Sequence, residues 1–252
     1  MVRTGSSVPG GTVRDALVLA AGNGDRFNTG TARSKLLQPV LGQPLILRTL
    51  ATAQAAGITS FHVVVGYEAD AVRSAIERGA PSGVSVRFTV NPDWHLENGL
   101  SALAARRFFD RRFALMMGDH LFEADVLGRL LAIDARPDEC LLAVDSRPAP
   151  AEVAAEATKV RRQNSLIVAI GKDLDDYDAL DTGLFVCAPA LFPALDEARR
   201  AGDTTLSGGI RRLAARGLMR AVEIGDAAWY DIDTPADLRT AESLLSRQPE
   251  HA

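Results

Sequence analysis

The amino-acid sequence predicts an α/β fold in which a mixed, mostly parallel central sheet is covered by helices on both faces. Three observations carry that reading. Short apolar runs alternate with longer helical patterns along the first 145 residues, the arrangement that sets parallel strands side by side with crossover helices between them. Those runs are continuous rather than alternating, as strands buried on both faces require. The 252 residues, 47% of them hydrophobic, are enough to fill the core of such a sheet.

The elements follow in order. ALVLAA (Ala16 to Ala21) is a strand ending at Gly22, and LILRTLATAQAAG (Leu45 to Gly57) is a helix closed by its glycine. FHVVVGY is the next strand, ADAVRSAIERG the next helix and VSVRFTVN the third strand. The alternation continues through ENGLSALAARRFFD (helix), RFALMMGD (strand), ADVLGRLLAID (helix) and CLLAVD (strand). After Asp145 the texture changes. RPAPAEVAAE is a connection rich in Pro and Ala, ATKVRRQNSLIVAIGK reads as two strands joined near Gln163 and Asn164, and ALDTGLFVCAP adds another strand. The last helix is PADLRTAESLLSR, with Pro235 in its first turn and Thr234 as its N-cap.

Composition narrows the function classes. A formal charge of -4 argues against a protein that coats nucleic acid, while small anionic ligands need only local charge. Cys140 and Cys187 are far apart with no signal-peptide pattern before them, so they read as buried small hydrophobes rather than a disulfide framework. No apolar run approaches the roughly 18 residues that span a bilayer. The N-terminal MVRTGSSVPGGTVR is polar, and cytoplasmic residence is the simplest expectation. Of 28 basic residues only three are lysines, Lys35, Lys159 and Lys172. Each marks a place for a compact, mobile ammonium in a chain that otherwise prefers Arg.

The stretch LAAGNGDRFNTGTARSKLLQPVLGQPLI follows a strand and precedes a helix, where α/β sheets bind phosphates through backbone N–H groups. A dinucleotide fingerprint wants glycine where Phe27 stands, and a P-loop wants Ser or Thr after the lysine where Leu36 stands. What remains is a longer loop whose glycines let the backbone approach a polyphosphate, with Arg26 and Lys35 supplying charge at two separated points. An ordinary Gly-rich turn with surface charges is the competing reading.

Two further segments carry carboxylates. FALMMGDHLF places Asp119 just beyond a buried strand, and WYDIDTPADL places Asp231 and Asp233 before the last helix. Mg²⁺ favours one or two carboxylates together with phosphate oxygens and water, so Asp119 with Asp233 makes a suitable pair, to which Asp231 adds a ligand or orients water. Helix capping by the Asp231 to Thr234 stretch is the alternative. His120 is not read as a catalytic base, because an ionised phosphate nucleophile has no proton to lose. His62 and His95 read as structural or surface residues, and Trp94 and Trp229 as packing groups.

These motifs together resemble the nucleotidyltransferases that join a nucleoside triphosphate to a phosphorylated alcohol or sugar, releasing pyrophosphate. The pattern is Leu-Ala-Ala-Gly-x-Gly-x-Arg, then Pro-Lys, then Pro-Val-x-Gly-x-Pro-Leu, and this chain departs from it at Ser34, where the family usually has Pro. The resemblance implies a Rossmann-like three-layer fold and a triphosphate cradle at Leu19, Ala20, Ala21, Gly22, Asn23 and Gly24. It makes Arg26 and Lys35 catalytic, and Asp119, Asp233 and Asp231 the Mg²⁺ ligands. NPDWHLENGLSALAA is similar to the base-reading segment of pyrimidine-using members, which implies contacts from Asn91, Asn98, Gly99 and Ser101.

EATKV, IVAIGK and YDALDTGLFV resemble inositol-1-phosphate cytidylyltransferases. By that resemblance Lys159 and Lys172 face phosphates, and Asp181, Thr182 and Gly183 receive acceptor hydroxyls. The expected organisation is a flexible tail over 1–14, a single domain over 15–246 and a tail over 247–252. Within the domain, a nucleotide lobe spans about 15–145, an acceptor lobe about 146–225, and a closing metal motif and helix 229–246. The expected activity is Mg²⁺-dependent transfer of CMP from CTP to inositol 1-phosphate, with neither nucleic acid nor membrane insertion. A sugar 1-phosphate, phosphocholine or 2-aminoethylphosphonate is the alternative acceptor, and a non-catalytic nucleotide-binding module the alternative class.

Overall fold

The computed structural model describes residues 13–24, 27 and 33–246. Residues 1–12 of the expected tail over 1–14, the expected tail over 247–252 and Arg26 lie outside the described residues. Val13 is already buried in the core, and the carbonyl of Arg14 accepts from the N–H groups of Thr59 and Ser60.

The first half alternates as its apolar runs predict. β1 (Asp15–Ala20) leads through the long loop to a 3-10 turn at Lys35–Leu37, the short hairpin β2 (Pro39–Val40) and β3 (Gln43–Pro44), and α1 (Leu45–Ala55). Then come β4 (Ser60–Val65), α2 (Ala69–Gly79), β5 (Ser85–Val90), α3 (Asn98–Ala104), β6 (Phe113–Met117), β7 (His120–Phe122), α4 (Ala124–Ala132) and β8 (Cys140–Asp145). The Pro- and Ala-rich connection holds one short helix, α5 (Ala151–Glu156), before the hairpin β9 (Lys159–Gln163) and β10 (Leu166–Gly171). The chain ends with β11 (Ala179–Cys187), α6 (Leu191–Arg200), α7 (Leu206–Ala214), β12 (Met219–Glu223), β13 (Trp229–Asp231) and α8 (Pro235–Leu245).

Nine strands form one sheet in the order β5-β4-β1-β6-β11-β8-β12-β10-β9. β10 and β11 run against the other strands, so the sheet is mixed but mostly of one direction. Alternate residues of β1 enter opposite cores. Ala16, Val18 and Ala20 pack with Ile46 and Leu50 of α1, Val72 and Ile76 of α2, and Leu127 of α4. Leu17 and Leu19 face a second core that includes Leu191 and Leu195 of α6 and Ile210 and Leu213 of α7. Two helical layers on one sheet are the consequence.

A third, small core joins Phe27, Val40, Leu45 and Leu121 to Ile232 and Ala241, so α8 is seated beside the first loop. From β1 the chain moves to β4 and β5 on one side and returns to β6 on the other. The loops after β1 and β6 therefore part at a switch point, where open α/β sheets form their ligand crevice.

Candidate active site

The loop after β1 is anchored at its root. Leu19 accepts from the N–H of Gly118 at 2.8 Å and Ala21 from the N–H of Tyr67 at 2.9 Å, with Leu19, Ala20 and Ala21 all buried. Beyond them Gly22 faces open space, and Asn23 leads to Gly24. Gly24 has φ +64°, and a Cβ there would stand 2.9 Å from Cβ of Lys35. Only glycine combines that backbone with so close an approach.

Lys35 opens the 3-10 turn with its side chain 7% exposed. Its Nζ lies 2.7 Å from Oδ2 of Asp119 and donates to Oδ1 of Asp233 at 3.0 Å, across 198 residues of sequence. Burial alone lowers the pKa of this ammonium. Asp119, Asp233 and, more weakly, Asp231 outweigh burial and hold it above the usual lysine range, so the charge is permanent.

Two short elements bring the carboxylates together. β7 pairs with β13 so that His120 stands opposite Asp231, and the N–H of Ile232 donates to the carbonyl of Asp119 at 3.3 Å. Asp233 then precedes α8. The N-cap of that helix is the expected Thr234, whose Oγ1 accepts from the N–H of Asp237 while the Asp237 carboxylate accepts from the N–H groups of Thr234 and Asp233. Capping thus falls to Thr234 and Asp237, which leaves the Asp233 carboxylate for Lys35.

His120, set aside above as a catalytic base, is built into the same cluster. Its Nδ1 bonds to the carbonyl of Thr182 at 2.9 Å, and because a carbonyl only accepts, Nδ1 carries a proton. Nε2 then faces Oδ1 of Asp231 at 3.3 Å and Oδ1 of Asp119 at 3.8 Å. Burial would lower the imidazole pKa, but Asp231, Asp119 and the Thr182 carbonyl push it up to about 10. One atom each from Asp119, His120 and Asp231 lie within 4.8 Å of one another, a set that fits a divalent cation once the cation displaces the proton from Nε2. The only sequence signal for His120 was its place directly after Asp119.

The remaining expected residues fall into two groups. On the nucleotide side, buried Asn91 donates from Nδ2 to Oγ of Ser101 at 2.9 Å, and its Oδ1 accepts from the N–H of Asp93. Asn98 accepts from the N–H of Leu206, and a Cβ at Gly99 would meet Thr204 O at 2.5 Å. Asn98 thus ties the start of α3 to the start of α7, and Asn91 ties the end of β5 to α3.

On the acceptor side, Asp181 accepts from the N–H of Gly183 at 2.8 Å, and burial raises its carboxyl to about 6 against that bond and the nearby His120. Thr182 Oγ1 donates to the carbonyl of Ala143. Lys159 is registered with Leu180, next to Asp181, and its ammonium lies 5.8 Å from the Tyr177 ring while donating to the carbonyl of Lys172. The sequence also missed Asp145. It accepts from the indole of Trp229 at 2.9 Å and pairs with Arg147, bonds that outweigh burial and lower its pKa.

A MobA-like NTP transferase domain matches residues 16–220. The chain belongs to that family. A bifunctional IPC transferase and DIPP synthase of Rubrobacter xylanophilus is 39% identical over 236 residues, covering 91% of this chain and 51% of that protein. A CMP-5'-(3-aminopropyl)phosphonate synthase of Streptomyces rubellomurinus is 36% identical, covering 92% of this chain and 38% of that protein. The chain thus spans about half the length, or less, of these two curated relatives. The inositol-1-phosphate CTP transferase of T. maritima superposes with a TM-score of 0.82 at 27% identity, covering 96% of this chain and 99% of the other. The resemblance read from the motifs and the Rossmann-like three-layer fold both hold in this family member. Among the described residues no helix is long and apolar enough to cross a membrane.

Proposed function

We propose that the chain transfers the cytidylyl group of CTP to a phosphorylated polyol, inositol 1-phosphate, giving CDP-inositol and pyrophosphate. The observation that carries this reading is the permanently charged Lys35, held between Asp119 and Asp233 at the switch point of the sheet. The names of the Rubrobacter and T. maritima relatives support cytidylyl transfer to an inositol phosphate.

In this reading the acceptor's phosphate oxygen bonds to the α-phosphorus of CTP, and the bond to the departing pyrophosphate breaks in line with it. Both reactants are anions. Lys35, together with Arg26, offsets their repulsion and the charge that builds on the crowded phosphorus. The backbone from Leu19 to Gly24 receives the triphosphate. Asn91, Asn98, Gly99 and Ser101 form the wall for the base, with backbone groups rather than their engaged side chains reading it.

Asp119, Asp231 and His120 would hold Mg²⁺, with Asp233 keeping Lys35 in place. The bound ion would neutralise triphosphate charge. The bond from Nδ1 of His120 to Thr182 fixes the ring that points into this set.

The nucleotide occupies the lobe of residues 15–145 and the acceptor that of 146–225, closed by 229–246. A cavity of about 320 Å³ lined by Asp145, Arg147, Tyr177, Asp178 and Leu180 opens between the end of β8 and the start of β11. In the acceptor lobe Lys159 and Lys172 supply charge, and Asp181, Thr182 and Gly183 receive hydroxyls. The partners are then CTP and a small phosphorylated acceptor, met in the cytoplasm.

The Streptomyces relative favours a second reading, in which the acceptor is an aminoalkylphosphonate. Pyrophosphate release, measured with four nucleoside triphosphates crossed with inositol 1-phosphate, glucose 1-phosphate, phosphocholine and 2-aminoethylphosphonate, decides between them. The expected result is release with CTP and inositol 1-phosphate alone. Release only with the phosphonate selects the second reading, and tight CTP binding without release makes the chain a binding module.

A further inference from the structure

Ser34 stands immediately before Lys35, at the position where the chain departs from the proline of its family pattern. Its side chain is fully buried, its Oγ accepts from the N–H of Leu36 at 3.4 Å, and its backbone N–H donates to Oε2 of Glu68. A proline has no N–H to give. Glu68 occupies the N-cap position of α2 with φ +47°, yet its side chain makes no capping bond to that helix. One residue earlier, the N–H of Tyr67 donates to the carbonyl of Ala21. The corner at Tyr67 and Glu68 therefore grips both limbs of the loop, Ala21 where it leaves β1 and Ser34 where it delivers Lys35.

We propose that Glu68 is a positioning residue for Lys35. Proline would hold this limb through its ring. Here Ser34 has φ −49°, close to the value proline fixes, and its charge-assisted hydrogen bond to the Glu68 carboxylate does the holding. Glu68 touches no reacting atom. It keeps the Lys35 ammonium aligned with Asp119 and Asp233, and acts on the step where that ammonium meets developing charge.

The test rests on the cytidylyltransferase reading and uses Glu68→Ala, Glu68→Gln, Ser34→Pro and the double variant Ser34→Pro/Glu68→Ala. Losing a charge-assisted bond to a buried donor is expected to lower kcat by roughly ten- to a hundredfold in Glu68→Ala, with KM for CTP changing by less than about threefold. Glu68→Gln keeps an acceptor and recovers most of the turnover. In the Ser34→Pro background Glu68→Ala costs nothing further, because the bond it removes is already gone.

Equal losses in both backgrounds, or full activity of Glu68→Ala, would overturn the proposal. Residue-resolved amide exchange provides a readout that needs no activity: Ser34 exchanges faster in Glu68→Ala than in the unaltered chain. If the unaltered chain releases no pyrophosphate, the functional reading fails while exchange still decides the tie between Glu68 and Ser34. Unchanged exchange at Ser34 refutes that tie by itself.

Discussion

The Lys35 ammonium lies 2.7 Å from the Asp119 carboxylate, and the stem that carries it packs against the bare Cα of Gly24. A buried lysine whose ammonium is held above its ordinary pKa cannot act as a base. It acts as a fixed charge. Replacing Lys35 by Ala is expected to lower kcat by about 10²- to 10³-fold, the scale of losing one preorganised transition-state contact, while raising KM for CTP by less than about tenfold. Steady-state kinetics at saturating acceptor measures both, and a change confined to KM would reduce Lys35 to a ground-state binder.

The donor set at the carboxylates is two oxygens and one nitrogen, and it has a spectroscopic consequence. With Mn²⁺ in place of Mg²⁺, pulsed EPR is expected to show coupling to one imidazole nitrogen, lost in His120→Asn. Asp119→Asn removes the charge of a direct ligand and should weaken Mn²⁺ binding by more than about tenfold, at least the loss seen when only an outer-shell partner is removed. Nitrogen coupling that survives in His120→Asn would exclude His120 from the ion and leave it as an imidazolium paired with Asp231.

Gly183 has φ +74°, and a Cβ there would sit 2.3 Å from Nδ1 of His120. Gly183→Ala therefore strains the backbone and drives the imidazole off the Thr182 carbonyl. The expected cost is about 1–3 kcal/mol of stability together with a loss of turnover. Thermal unfolding measured beside activity tests it: full turnover at unchanged Tm would show that the ring has no fixed place.

The longer strands and helices from β1 to β8 were legible because each is a continuous apolar run or a periodic stretch, whereas β2, β3 and β7, of two or three residues each, were not. The segment between β11 and β13 was not. α6 carries Pro193 in its first turn, where its missing N–H is harmless, and α7 carries Gly208 and Gly209, which read as helix breakers. The two glycines are there for packing, since a Cβ at Gly209 would stand 2.6 Å from Leu195 and one at Gly208 would stand 2.5 Å from Asp203.

The candidate site divides in the same way. Lys35 and the carboxylates stand out by residue type and position. The β7–β13 ribbon that sets His120 against Asp231 is three residues long on each side, too short to leave a periodic signal. The partner of Ser34 lies 34 residues away on another helix, a distance no local pattern spans.

Stability against acid should depend on His62, far from the carboxylate cluster. Its Nε2 bonds to Oγ1 of Thr89 at 2.8 Å, and its ring lies 4.1 Å from that of Phe108. Burial, then Arg87 and Arg107, depress its pKa from 6.5 to about 4. The sign follows from proton counts. Between pH 6.5 and about 4 the unfolded chain takes up a proton that the folded chain refuses, so stability is fully present above the upper value and falls as pH drops through that window. Tm is therefore expected to decline on acidification from pH 7 to 4.5. His62→Gln, which keeps a partner for Thr89 and cannot titrate, should flatten the part of that decline above pH 5. Parallel Tm profiles for the two proteins would assign the acid sensitivity to other groups.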